Sequence, residues 1–145
     1  MCLNDFEVNS KLLFSNHNVL IFGNDKSIEF NEIVKIAKNA QFKNVFSTNS
    51  YKNAKSIILD TEISIVFLDM TTITNIKNIR EISSGKNIKI FLIVENINNE
   101  LFKLNLDEFI FNPSIKKERT ILKLIFKNLA FMENEINIEL NNQRI

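Results

Sequence analysis

"ISIVFLD", Ile63 to Asp69, is apolar at every position but Ser64 and then stops on an acid. A strand with one wet face alternates apolar and polar residues, whereas a nearly continuous apolar run suits a strand covered on both faces, as in a parallel sheet between helices. The stretches around it read the same way: "NVLIFG" (18–23), "KNVFS" (43–47), "IKIFLIV" (88–94) and "EFIFN" (108–112) are short and rich in Val, Ile and Phe. Between them, apolar residues recur at helical spacing near 27–41, 51–60, 72–84 and 97–104, and a last helical stretch runs from about 114 to 141. The first of these places Phe30, Ile33, Ala37 and Ala40 on one face, with Ser27 as its N-cap. Strict β-α alternation over short connections predicts a doubly wound α/β domain. The expected architecture is a (βα)5 three-layer sandwich, with a five-stranded parallel sheet and an extended C-terminal helix.

A chain of 145 residues suits one domain, and the pattern divides it into an N-terminal extension (1–16), the domain proper (17–130) and a C-terminal helix extension (131–145). With 45% hydrophobic residues, 24% charged residues and a formal net charge of +1, the composition is that of a soluble globular protein. That charge sets up no field to attract nucleic acid or an anionic membrane, so neither is an expected partner. Cys2 is the one cysteine, so no intrachain disulfide or cysteine metal cluster forms, which fits a reducing cytoplasm. The N-terminal "MCLNDFEVNSKLLF" carries acids where a signal peptide needs an unbroken apolar core, and no apolar run approaches the roughly 20 residues that span a bilayer. The expected location is the cytoplasm. His17 is also alone, with no Cys, Asp or Ser in motif spacing, and reads as a surface residue without a role. Lys116 to Arg119, "KKER", reads as a solvated first helical turn.

In doubly wound sheets ligands bind beyond the carboxyl ends of the strands. The residues closing the strands here are Gly23 and Asn24, Asp69, Val94 and Glu95, and Asn112 with Pro113, the single proline of the chain. With "VLIFGND" opening the series, "IVFLDM" ending the third strand and "FIFNP" ending the fifth, residues 17 to 130 resemble the receiver domain of bacterial response regulators. The resemblance puts Asp69 on the phosphoacceptor aspartate, Pro113 on a cis-proline and Phe109 on the switch aromatic of the fifth strand. It also shows what is missing. The two acids that hold Mg²⁺ in the family are replaced by Gly23 and Asn24, with Asp25 one place late; the Thr or Ser closing the fourth strand is Val94, followed by Glu95; and the lysine before the proline is Asn112. The "MP…DG" usual after the phosphoacceptor is absent from "DMTTITNI".

Transfer of a phosphoryl group to a carboxylate builds charge that Mg²⁺ and fixed cationic or hydroxyl donors must neutralise. Two lost charge-assisted contacts forfeit roughly 3–6 kcal/mol, about two to four decades. The resemblance therefore implies a pseudo-receiver without catalysis of its own, which uses no cofactor and meets Mg²⁺ only through residual affinity. Its implied partner is a protein, such as a signalling kinase or an output domain. A receiver phosphorylated at Asp69 is the alternative. A nucleotide- or flavin-binding α/β protein is more distant, because a chain whose only glycines are Gly23 and Gly85 lacks the glycine-rich turn such sites need. Without the resemblance, Asp69 reads as a cap for the helix that follows or a partner for loop amides.

In the last helix, Leu122, Ile125, Leu129, Met132 and Ile136 repeat in steps of three and four, the seam of a coiled coil. Two arrangements satisfy this pattern: a weak homodimer through Leu129, Met132 and Ile136, or a long helix folded back on its own domain.

Overall fold

The computed structural model describes the backbone of residues 2–143 and the side chains of residues 6–134. Five strands, β1 (Asn18–Phe22), β2 (Asn44–Thr48), β3 (Ile63–Leu68), β4 (Lys89–Val94) and β5 (Glu108–Phe111), form one sheet in the order β2-β1-β3-β4-β5. Every pairing is parallel. This is the doubly wound, flavodoxin-like order, whose switch point lies between β1 and β3. The continuous apolar runs have the expected consequence: β1 and β3 are buried at every position, and β4 at every position after Lys89.

Five α-helices, α1 (Cys2–Phe14), α2 (Ile28–Asn39), α3 (Tyr51–Asp60), α4 (Ile76–Ile82) and α5 (Glu118–Gln143), cover the two faces. On one face, Val19, Ile21, Ile65, Phe67, Phe91 and Ile93 pack with Phe30, Ile33 and Ile36 of α2 and Ile121, Ile125 and Leu129 of α5. On the other, Leu20, Phe22, Val66, Leu68, Ile90 and Leu92 pack with Ala54 and Ile58 of α3 and Ile76 and Ile79 of α4. Ser27 and Ser50 cap α2 and α3 by accepting from Phe30 N (3.1 Å) and Asn53 N (3.4 Å). Among the described residues no helix is long and apolar enough to cross a membrane.

Three local expectations are corrected. The helix expected near 97–104 is a single 3₁₀ turn, Leu101–Lys103. Its apolar residues do recur at helical spacing, and Asn98 caps the turn by accepting from the backbone of Leu101 (3.2 Å), but Leu104 is already extended, so the turn does not propagate. The Asn112–Pro113 bond is trans, not cis. The chain bends at Asn112 instead, whose φ of 42° lies in the left-handed region that asparagine tolerates, while its N–H extends the β4–β5 ladder to Val94 O (3.0 Å).

The third correction concerns the dimer seam. Leu129 and Met132 are buried in their own domain, and Ile136 lies outside the described side chains. The core reaches that far because residues 2–14 form a helix docked on α5. Phe14 is fully buried, stacked on Phe42 with ring centroids 4.6 Å apart and edge-on to Phe126 at 6.4 Å. Phe6 meets Phe126 at 5.6 Å. Below them, Glu133 of α5 accepts from the His17 ring at 3.0 Å.

Because Phe14 has no alternative apolar environment, Phe14→Ala is expected to lower the unfolding free energy by about 3–5 kcal/mol, and Leu129→Ala by about 2–5 kcal/mol. Urea denaturation followed by circular dichroism measures both. A Leu129 variant that kept wild-type stability while changing the oligomeric state would restore the seam.

Candidate functional site

Asp69 ends β3 at the carboxyl edge of the sheet, beside the end of β1. Its carboxylate lies inside the protein, with the residue 8% exposed, and both oxygens are engaged. Oδ2 accepts from the backbone N–H of Asn24 at 2.7 Å, across the gap from β3 to the β1–α2 loop. Oδ1 accepts from the backbone N–H of Thr71 at 3.0 Å and from the Thr71 hydroxyl, closing a cap over the 3₁₀ turn Met70–Asn75. Thr72 adds a second tie between the same strands, its hydroxyl lying 3.2 Å from Phe22 O and 3.1 Å from Asp69 O.

Gly23 explains why the carboxylate can lie there. A Cβ at residue 23 would stand 2.3 Å from Asp69 Oδ2 and 2.5 Å from its carboxyl carbon. Contacts that short are forbidden, so the Asp69 side chain occupies the volume that any side chain at 23 would need. The glycine is used here for close approach rather than for an unusual φ.

The other strand-end residues do not converge on Asp69. Asn24 turns its Oδ1 to the N–H of Lys26 (3.1 Å). The Asp25 carboxylate accepts from Asn49 (3.2 Å), on the β2 side. Val94 is buried and apolar, and Glu95 and Asn112 are exposed. Phe109 is half-buried, packed edge-on against Phe102 at 5.8 Å. Pro113 is buried behind Asn112. Beside Asp69 lies a cleft of about 320 Å³ lined in part by Asn24, Ser27, Glu29, Met70, Val94 and Glu95. It contains no lysine or arginine.

This donor set does not suit Mg²⁺, which demands several hard oxygens in octahedral array. Gly23 supplies none, the Asp69 oxygens are already shared among three donors, and Asp25 is turned away. Among the described residues no group of three or more His, Cys, Asp or Glu is placed to hold a metal ion. Sequence reasoning found the positions of this site but missed Thr71, whose signal is a hydroxyl two residues past a strand-closing Asp, the spacing of an Asx turn.

The fold is similar to that of a solved structure. It is a protein of Burkholderia pseudomallei provisionally described as pilus assembly-related, similar at a TM-score of 0.61 and 14% identity over 81% of this chain and 92% of that one. No family model and no curated protein sequence matches the chain. At that identity the likeness extends to the fold alone.

If the carboxylate fills the space above Gly23, Gly23→Ala is destabilising in wild type by on the order of 1–3 kcal/mol and costs less in an Asp69→Ala background. A double-mutant cycle of urea unfolding measures the coupling. Strictly additive effects would show that the two positions do not share one volume.

Proposed function

We propose that this chain is a receiver-like module that works by binding a protein partner and not by acyl phosphorylation. The observation that carries this reading is the internal closure of Asp69: a phosphoacceptor must present a free oxygen to the donor, and here both oxygens hold the protein's own N–H and O–H groups. Freeing one would break hydrogen bonds worth about 1.5–3 kcal/mol each when the acceptor is charged, in addition to the missing metal and cation.

The strand-end chemistry supports the same reading. A transferred phosphoryl would meet Val94 where a hydroxyl donor is needed and Asn112 where a cation is needed. The doubly wound body then serves as a rigid scaffold and its surface carries the function. The partner is a protein, such as a signalling kinase or an output domain. A role within an assembly, of the kind ascribed to the Burkholderia protein, is one form that such binding takes.

Mg²⁺ with beryllofluoride, and separately a small phosphodonor, are the probes. Expected for wild type and Asp69→Asn alike are unchanged amide NMR shifts and an unchanged intact mass. A saturable shift around Asn24 and Thr71, or a gain of one phosphoryl group in wild type and not in Asp69→Asn, would instead establish a phosphorylatable receiver. Asp69→Asn has a separate structural consequence. An amide offers one acceptor oxygen to two backbone donors, so stability should fall by about 1–3 kcal/mol.

A further inference from the structure

At the opposite edge of the sheet, three side chains far apart in sequence form a hydrogen-bonded chain. His17 Nδ1 lies 2.7 Å from Ser64 Oγ, and His17 Nε2 lies 3.0 Å from Glu133 Oε1. For the neutral ring the partners assign the protons. An ionised carboxylate only accepts, so Nε2 carries the hydrogen; Nδ1 of the neutral ring is then an acceptor, and the Ser64 hydroxyl donates to it. The ring is held from both sides of its own backbone, since His17 N donates to Phe14 O (3.0 Å) and His17 O accepts from Lys43 N (3.0 Å).

A second observation concerns Ser64 itself. In the β1–β3 ladder Asn18 pairs with Ile63 and Val19 with Ile65, so Ser64 is the extra residue of a bulge. The β3–β4 ladder begins only at Ile65, which leaves Ser64 without a register partner on either side. Bulges re-aim side chains and are frequent beside active sites. Here the bulge sets Ser64, 8% exposed, at the wall of a cleft of about 800 Å³ that His17, Lys43, Asn44, Thr61 and Lys86 also line.

We propose that Ser64, His17 and Glu133 form a nucleophile, a general base and a positioning acid for acyl transfer from small polar esters bound in this cleft. This activity is separate from the partner-binding role and does not depend on it. Ser64 Oγ attacks the ester carbonyl carbon while its proton passes to His17 Nδ1. The carbonyl electron pair moves to oxygen, within a cleft that carries the Lys43 ammonium. Collapse of that oxyanion breaks the bond to the alcohol, which leaves with the proton from His17. Water, deprotonated in turn by His17, then releases the acid and restores Ser64. Glu133 acts through the ring, fixing its tautomer and balancing its transient positive charge.

The test uses a fluorophosphonate, with which Ser64 forms an O–P bond as fluoride leaves, and p-nitrophenyl acetate, from which it releases nitrophenolate. Expected are one adduct mapped to the Ser64 peptide, its absence in Ser64→Ala, a labelling rate about 100-fold lower in His17→Gln, and one about tenfold lower in Glu133→Gln at unchanged circular dichroism. Nitrophenolate release should fall in the same order. A folded wild type that takes no adduct overturns the proposal, as does an adduct on another residue or a labelling rate indifferent to His17→Gln. Should Ser64→Ala fail to fold, peptide mapping of wild type and the rate in Glu133→Gln decide the matter.

Discussion

The carboxyl edge of this protein depends on one carboxylate placed under a residue that has no side chain. Asp69 reaches from the end of β3 to the backbone of Asn24 just past the end of β1, and it does so through the space above Gly23. The two positions constrain each other. Gly23 cannot become an acid while Asp69 stays, and Asp69 cannot turn its carboxylate to solvent without giving up the Asn24 and Thr71 donors. Hydrogen bonds to a charged acceptor are worth more than those to a neutral one, so these bonds favour the arrangement observed. A switch needs two arrangements of comparable free energy, and hydrogen bonds that engage both oxygens oppose a second one.

The layers around that edge show a redistribution of cover. The connection from β4 to β5 has only a 3₁₀ turn, with Leu101 buried and Phe102 exposed. The opposite face has more than the (βα)5 pattern requires, because α1 adds Phe14 and extends the core along α5 to Met132. A helix of 26 residues is about 39 Å long, roughly twice the length of these strands, so the sheet alone could not bury its apolar stripe. With α1 in place, Leu129 and Met132 are interior, and a pattern that resembles a coiled-coil seam is satisfied within one chain.

What the sequence made legible follows from the range of the interactions involved. β1, β3 and β4 declared themselves through continuous apolar runs, a property of six neighbouring residues, and from those strands the sheet type and the carboxyl-edge positions followed. α1 was harder, since Phe6, Ser10 and Phe14 lie on one face but the stretch between them is as polar as a frayed terminus. The stretch 97–104 had helical spacing, but its turn does not propagate past the extended Leu104. Asp69 and Gly23 were each identified as strand-end residues, yet nothing local in residues 46 positions apart says that they claim the same volume. The partners of His17 are out of local reach for the same reason: Ser64 and Glu133 stand 47 and 116 positions away, beyond any motif spacing.

The two edges of the sheet therefore differ in a way that bears on where chemistry can occur. At the carboxyl edge the acid is spent on internal bonds, the metal ligands are gone, and the adjoining cleft has no cation. At the amino edge a register bulge sets a serine out of the ladder, and a histidine joins it to a carboxylate whose side chain is 45% exposed. Both oxygens of the first site are engaged by the protein's own donors beside a cleft without a cation, whereas the serine and histidine of the second share the wall of their cleft with a lysine. In a doubly wound fold the carboxyl edge is the usual place for ligands because loops and helix N-termini gather there. Function nevertheless follows the side chains and not the fold, and in this chain the only such hydrogen-bonded relay among the described residues lies at the other end.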